Sequence, residues 1–146
     1  MIENGKTYST EEMTEISKAV MLYIDSWKLS NAEIISILGL DPKTRTRHLQ
    51  FFRTGEKPLP QEGETLQRID HIVGIADALR TTFPFSDKMR LLWLRKPHRR
   101  FRKNTPLAVI MEKGMNGLMK VRIEVDCAYG WKISEEMAKA QQATNS

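Results

Sequence analysis

The sequence concentrates its positive charge in two short segments, which are its clearest chemical feature. Residues 41–60 contain five basic and two acidic side chains, and residues 87–105 contain eight basic side chains and one acidic. The whole chain of 146 residues has a formal net charge of +5. Clustered cationic side chains attract an anionic partner, such as nucleic-acid phosphates or an acidic protein surface.

Two short helices joined by a tight turn are predicted within residues 30–55, the arrangement of a helix-turn-helix. The first helix is expected to pack through Ala32, Ile35 and Leu38. Gly39 then ends it, because glycine readily adopts the backbone conformation of a tight turn. The apolar positions of the first helix should hold the second helix in a fixed orientation.

The second helix of this pair is predicted to begin with Asp41 as its N-cap and Pro42 at its first position. Its first turns are polar and basic, so they can donate hydrogen bonds to phosphates and to base edges in a major groove. The candidate DNA-binding residues are Lys43, Thr44, Arg45, Thr46, Arg47 and His48. The alternative is a helical hairpin with a solvated charged face, since such pairs also occur without nucleic acid.

The residue sets that enzymes and metal sites need are missing from the sequence. There is no glycine-rich phosphate loop, no nucleophile elbow and no Ser, His and Asp set at motif spacing. Asp70 and His71 are adjacent, and because successive helical residues point about 100° apart they are not expected to share one site. The three histidines and the single cysteine, Cys127, are too scattered to hold zinc. We therefore expect no enzyme, no cofactor and no metal.

The pattern of apolar residues and cysteine also bears on location. No apolar run approaches the roughly 20 residues that cross a bilayer. The N-terminal residues lack the basic start and apolar core of a signal peptide. One cysteine cannot form an internal disulfide, which fits a reducing compartment. These features favour a cytoplasmic protein with no membrane contact.

Apolar residues recur at helical spacing almost throughout, which predicts an all-α fold. Helix starts are indicated by Ser9 or Thr10 and by the capping box of Ser30 and Glu33. The predicted helices cover residues 10–28, 30–38, 42–53, 66–83, 87–94, 106–113 and 116–130. The side chains assigned to the core include Trp27, Met89, Leu92 and Trp93.

These helices divide into two predicted domains and a tail. Residues 1–86 form the helix-turn-helix domain for DNA binding and dimerisation, and residues 87–131 form a small helical domain. Residues 132–146 are polar with little to bury, and a loose tail is expected there.

Within the second domain, residues 93–131 carry a recurrent pattern of tryptophan, proline, glycine and apolar residues. Its elements are Trp93-Leu94, Pro97, Phe101, Pro106-Leu107, Gly114, Gly117-Leu118, Val121, Asp126 and Gly130-Trp131. On these residues the chain resembles the antitoxins of the Xre/MbcA/ParS group, in particular their C-terminal toxin-binding domain. The helix-turn-helix upstream is similar to the N-terminal half of the same family.

The resemblance implies a type II antitoxin that neutralises a RES-domain, NAD-consuming toxin by occluding its active site. It also implies that the antitoxin represses its own operon, binding operator DNA through the helix-turn-helix. A homodimer is expected, because helix-turn-helix proteins usually span two half-sites. The candidate toxin-binding residues are Arg95, Arg99, Arg100, Arg102, Tyr129, Trp131, Lys132 and Ile133.

Three points stay open at the level of the sequence. The basic loop 95–103 could contact the toxin, contact DNA phosphates or be solvated, and Trp131 could equally pack on its own helices. The alternative function is a stand-alone helix-turn-helix repressor whose C-terminal module dimerises or senses a ligand.

Overall fold

The computed structural model describes residues 7–145, apart from the side chains of Tyr129, Trp131, Lys132, Thr144 and Asn145. The described chain is helical, and its only β-type pairing is an isolated bridge between His98 and Asn104. The helices are α1 (Thr10–Ser26), α2 (Asn31–Ile37), α3 (Thr46–Thr54), α4 (Thr65–Thr82), α5 (Asp87–Arg95), α6 (Pro106–Lys113) and α7 (Met115–Asn145). A 3₁₀ turn, Arg99–Phe101, lies between α5 and α6. The all-α prediction is confirmed.

Capping side chains fix the starts of α1, α2 and α6, as the sequence predicts. In α1 the Ser9 hydroxyl accepts from the backbone N–H of Glu12 at 3.1 Å, and the Glu12 carboxylate accepts from Ser9 N–H at 3.1 Å. Ser30 and Glu33 form the same reciprocal pair at the start of α2. At α6, Thr105 accepts from Ala108 N–H at 3.0 Å. These contacts satisfy backbone donors that have no partner within a helix.

A single apolar core joins the two halves of the chain, with α4 at its centre. Helix α4 packs on α1 on one side and on α7 on the other, while α6 covers α7 and α3 covers α1. Ile69 and Ile72 of α4 and Val121 of α7 have no exposed surface. Trp27 is also buried, as predicted. The surfaces formed by α3 and by α6–α7 are thus carried on one continuous scaffold.

The burial of α2 and α5 differs from the sequence prediction by about one residue. In α2 the buried side chains are Ile34 and Ile37, whereas Ala32 is exposed and Ile35 only half-buried. Leu38 is buried as predicted, and the residues that face the core with it are Ile34 and Ile37, so the rest of the stripe lies one or two positions away from the predicted Ala32 and Ile35.

In α5 the buried residue is Leu94, not Trp93. The Trp93 ring is half-buried and packs against the edge of the core, whereas Met89 is 44% exposed, so the predicted core position of Met89 was wrong. Trp93 also packs against the His98 ring, at 4.7 Å between ring centroids. It therefore supports the basic loop rather than the centre of the core.

Helix α7 is much longer than predicted and runs through Gly130 to Asn145. The expected loose tail is thus helical, which agrees with the good helix formers at positions 135–143. Residues 133–143 are exposed along this extension. None of the helices in the described part of the chain is long and apolar enough to cross a membrane.

Candidate functional site

The turn between α2 and α3 is built on a glycine in the left-handed region. Gly39 has φ of +69°, and its N–H donates to Ser36 O at 3.1 Å while Leu40 N–H donates to Ile35 O at 3.0 Å. A Cβ atom at this position would lie 2.9 Å from Nε of Arg68. Only glycine therefore suits both the backbone angle and the close approach of the arginine.

Arg68 itself is a positioning residue that the sequence analysis did not identify. Its guanidinium donates to Ser36 O at 3.2 Å and Ile37 O at 3.3 Å, and it pairs with Glu64 at 3.2 Å. It thereby satisfies carbonyl groups at the C-terminal end of α2. Since Arg68 is on α4, this contact fixes the helix-turn-helix to the central helix.

The start of α3 was predicted too early. Asp41 is not an N-cap: its carboxylate accepts from Lys43 N–H at 2.9 Å and its carbonyl accepts from Thr44 N–H at 2.9 Å. These bonds close a turn with Pro42 at a position that suits its fixed φ. Consequently α3 begins only at Thr46, with Arg45 as its N-cap residue.

The six candidate DNA-binding residues therefore lie on two kinds of backbone. Lys43, Thr44 and Arg45 lie in the turn, whereas the other three lie in the first turn of α3. The side chains of Lys43, Arg45, Thr46 and Arg47 are exposed, and Thr44 and His48 are half-buried. His48 packs against the Phe51 ring at 5.7 Å between centroids.

This segment presents cations and backbone donors together. Within the described residues, Lys43, Arg45 and Arg47 form no salt bridge. Arg45 provides no side-chain cap, and no acidic residue stands in the first turn of α3. The His48 N–H donates to Arg45 O at 2.9 Å, which leaves the N–H groups of Thr46 and Arg47 available to an anion, and the helix dipole favours one.

The remaining basic residue of α3 has a structural role. Arg53 donates to both carboxylate oxygens of Asp25, at 2.9 and 3.0 Å. Such a bidentate pair fixes the orientation of α3 against α1. The exposed positive charge of α3 is therefore confined to its N-terminal end and the turn before it.

The basic loop between α5 and α6 is more ordered than predicted. His98 N–H donates to Asn104 O at 3.0 Å, Lys103 N–H donates to His98 O at 3.0 Å, and the His98 Nε2 lies 2.8 Å from Trp93 O. Arg102 and Lys103 have φ of +54° and +67°. The loop is thus a turn closed by hydrogen bonds at His98. It has a defined structure although its sequence shows no helix or strand pattern.

The candidate toxin-binding arginines of this loop have different environments. Arg95 donates to Trp27 O at 2.7 Å and to Lys28 O at 2.8 Å, so it ties α5 to the end of α1. Arg100 pairs with Glu124 at 3.3 Å, whereas Arg99 and Arg102 are exposed. Their contact with a toxin stays a prediction, and Arg95 has a structural role in addition.

The candidate toxin-binding residues of α7 are only partly described. The backbone of residues 129–133 is helical, and the Ile133 side chain is 36% exposed. The side chains of Tyr129, Trp131 and Lys132 lie outside the described residues. Their predicted role as interface anchors is therefore untested.

Asp70 and His71 do meet at a common partner, contrary to the sequence expectation. The Arg122 guanidinium lies 3.1 Å from the Asp70 carboxylate and 3.2 Å from Nδ1 of His71. Burial, and then the positive charge of Arg122, lower the pKa of His71, while Asp70 opposes this shift. Since Arg122 is on α7, the cluster holds α7 on α4. Among the described residues, no group of three or more His, Cys, Asp or Glu side chains could hold a metal.

Comparison with known proteins identifies a similar fold among solved structures. No family model and no curated protein sequence matches the chain. Among solved structures, its fold is similar to that of a chain in the crystal structure of the M. tuberculosis MbcT–MbcA toxin–antitoxin complex. The TM-score is 0.54 at 19% sequence identity, and the likeness covers 79% of this chain and 94% of that chain. The fold is therefore one that a chain of a toxin–antitoxin complex adopts, in agreement with the resemblance found in the sequence.

Proposed function

We propose that this protein is the antitoxin of a type II toxin–antitoxin system. The observation that carries the proposal is its likeness in fold to nearly the whole length of a chain from the MbcT–MbcA complex. The resemblance of residues 93–131 to the Xre/MbcA/ParS antitoxins supports it independently, because it depends on residue types rather than on backbone shape. The partner is then a RES-domain toxin that consumes NAD in the cytoplasm.

The C-terminal half is the surface that binds the toxin. The exposed guanidinium groups of Arg99 and Arg102 and the exposed extension of α7 lie on this half. A helix that projects beyond the core can enter or cover a cleft with little change in its own fold. In this proposal the residues after Ala128 occlude the active site of the toxin.

The N-terminal half binds operator DNA. The turn and the first residues of α3 offer unpaired cations and free helix N–H groups, which are the donors that phosphates and guanine edges accept. A homodimer places two such ends on successive half-sites of the operator. Binding represses transcription of the operon that encodes toxin and antitoxin.

The two activities can be separated with matched variants. In cells that express the adjacent gene, the intact chain is expected to restore growth and NAD. Truncation after Ala128 keeps the fully buried residues of α7, Leu118, Val121 and Val125, and is expected to abolish rescue while leaving operator binding intact. The double variant R45A/R47A is expected to abolish operator binding while leaving the rescue of growth intact.

Each variant serves as the folding control for the other. If the adjacent gene product is harmless, or if the intact chain does not rescue growth, the antitoxin proposal is wrong. Operator binding without any rescue would identify the alternative, a stand-alone repressor.

A further inference from the structure

A cleft lies between the basic loop, α6 and α7. Its volume is about 550 Å³. Its apolar lining comes from Phe101, Val109 and Ile123, and Ile123 is 63% exposed although it is a large hydrophobic residue. The polar lining consists of Arg100, Arg102, Asn104, Glu112, Lys113, Lys120 and Glu124.

Three of the basic side chains at this cleft converge without an acidic partner. Lys113 is the last residue of α6, and Lys120 is in the second turn of α7. Both side chains line the cleft, and the nearby Lys113, followed by slight desolvation and by Arg102, lowers the pKa of Lys120. Within the described residues, Arg102, Lys113 and Lys120 form no salt bridge, in contrast to Arg100, which pairs with Glu124.

The backbone holds Arg102 in this place at a conformational cost. Arg102 and Lys103 both have positive φ, a backbone conformation that is unfavourable for residues other than glycine. The loop keeps them there through the pairing of His98 with Asn104 and the bond from Lys103 N–H to His98 O. Unfavourable conformations that the surrounding structure enforces are frequent at ligand sites.

The chemistry of the cleft selects its ligand. Neighbouring cations repel one another, and a polyvalent anion relieves this repulsion more than a single carboxylate does. Lysine and arginine at close range are the usual ligands of phosphate groups. Beside them, an aromatic and aliphatic wall provides a surface on which a planar ring can stack.

We propose that this cleft binds a nucleotide, with its phosphates at Arg102, Lys113 and Lys120 and its base against Phe101 and Ile123. This site is separate from the DNA-binding turn and from the α7 extension, and it shares Arg100 and Arg102 with the proposed toxin-binding surface. Its occupancy does not depend on whether the chain is an antitoxin.

The test is titration calorimetry of the full chain with ADP, adenosine, pyrophosphate and a short DNA duplex as separate probes. ADP is expected to bind, and adenosine and pyrophosphate are each expected to bind at least about tenfold more weakly, because each lacks one half of the contacts. The double variant K113A/K120A is expected to weaken ADP binding by at least about tenfold. Both lysines are exposed, so their removal leaves the core unchanged.

The matched control is K88A/K139A, which removes two exposed lysines away from the cleft and leaves ADP binding unchanged. Absence of ADP binding up to about 1 mM would overturn the proposal. So would equal loss in both double variants, which would indicate a general effect of net charge. Equal affinity for ADP and pyrophosphate would overturn the assignment of a nucleotide. If the duplex alone binds and needs Lys113 and Lys120, the cleft is a contact for DNA and the proposal is wrong.

Discussion

The close packing of α6 on α7 can be tested by a single substitution at the point where the two helices cross. Gly117 is the buried residue at this crossing, and a Cβ atom there would lie 2.4 Å from Val109 O and 2.9 Å from the Ile110 Cα. Both atoms belong to the backbone, so no change of rotamer can relieve the contact. Gly117→Ala must therefore push α6 away from α7.

The size of the effect follows from two opposing terms. Overpacking of a core costs about 1–3 kcal/mol, and a contact with rigid backbone belongs at the upper end of that range. Replacing glycine by alanine inside a helix returns about 1 kcal/mol of helix propensity. We therefore expect Gly117→Ala to lower the free energy of unfolding by about 2 kcal/mol.

The same helix contains the matched control. Gly130 also lies in α7, and an added Cβ atom there would meet nothing within 4 Å. Gly130→Ala is expected to raise the free energy of unfolding by up to about 1 kcal/mol. Urea unfolding followed by circular dichroism measures both variants. A Gly117→Ala variant as stable as the unaltered chain, or a Gly130→Ala variant that is equally destabilised, would refute the close crossing.

Three further predictions concern the remaining contacts. Arg47→Ala is expected to lower the slope of log affinity against log salt for operator DNA by about 1, and an unchanged slope would mean that Arg47 meets no phosphate. Arg95→Ala removes the hydrogen bonds to the part-buried carbonyl of Trp27 and the exposed carbonyl of Lys28. It is expected to cost about 1 kcal/mol of unfolding free energy in urea unfolding, since only the Trp27 carbonyl loses a charged donor away from water. His71 has a pKa below 6.5 in the folded state, so the unfolded state binds more protons and stability is expected to fall as the pH drops from about 6.5 through the folded pKa. His71→Gln removes this part of the pH dependence in urea unfolding, and an unchanged pH profile would exclude the effect.

The parts of the fold that were predictable from sequence depend on local chemistry. The capping boxes at Ser9 and Ser30 and the cap at Thr105 involve residues three positions apart, so the sequence itself displays both partners. Helical periodicity likewise predicted the all-α class. Gly39 was recognisable as the turn, because its backbone requirement is a property of one residue.

The parts that were missed depend on contacts between distant residues or on competing local bonds. Arg95 contacts residues 67 and 68 positions away, and Arg122 contacts His71 from 51 positions away, which no local pattern reveals. At Asp41, a side-chain bond to Lys43 N–H competes with N-capping and moves the start of α3 to Thr46. The six candidate DNA-binding residues are still consecutive, but because of this shift the first three lie in a turn and only the last three lie in α3.

The most direct test of the antitoxin proposal is an assay with purified proteins. The toxin encoded by the adjacent gene is incubated with NAD, and the remaining NAD is measured as the antitoxin candidate is added. NAD consumption is expected to stop at a fixed molar ratio of intact chain to toxin. The chain truncated after Ala128 is expected not to stop it. NAD consumption that continues unchanged in the presence of excess intact chain would contradict the proposed function.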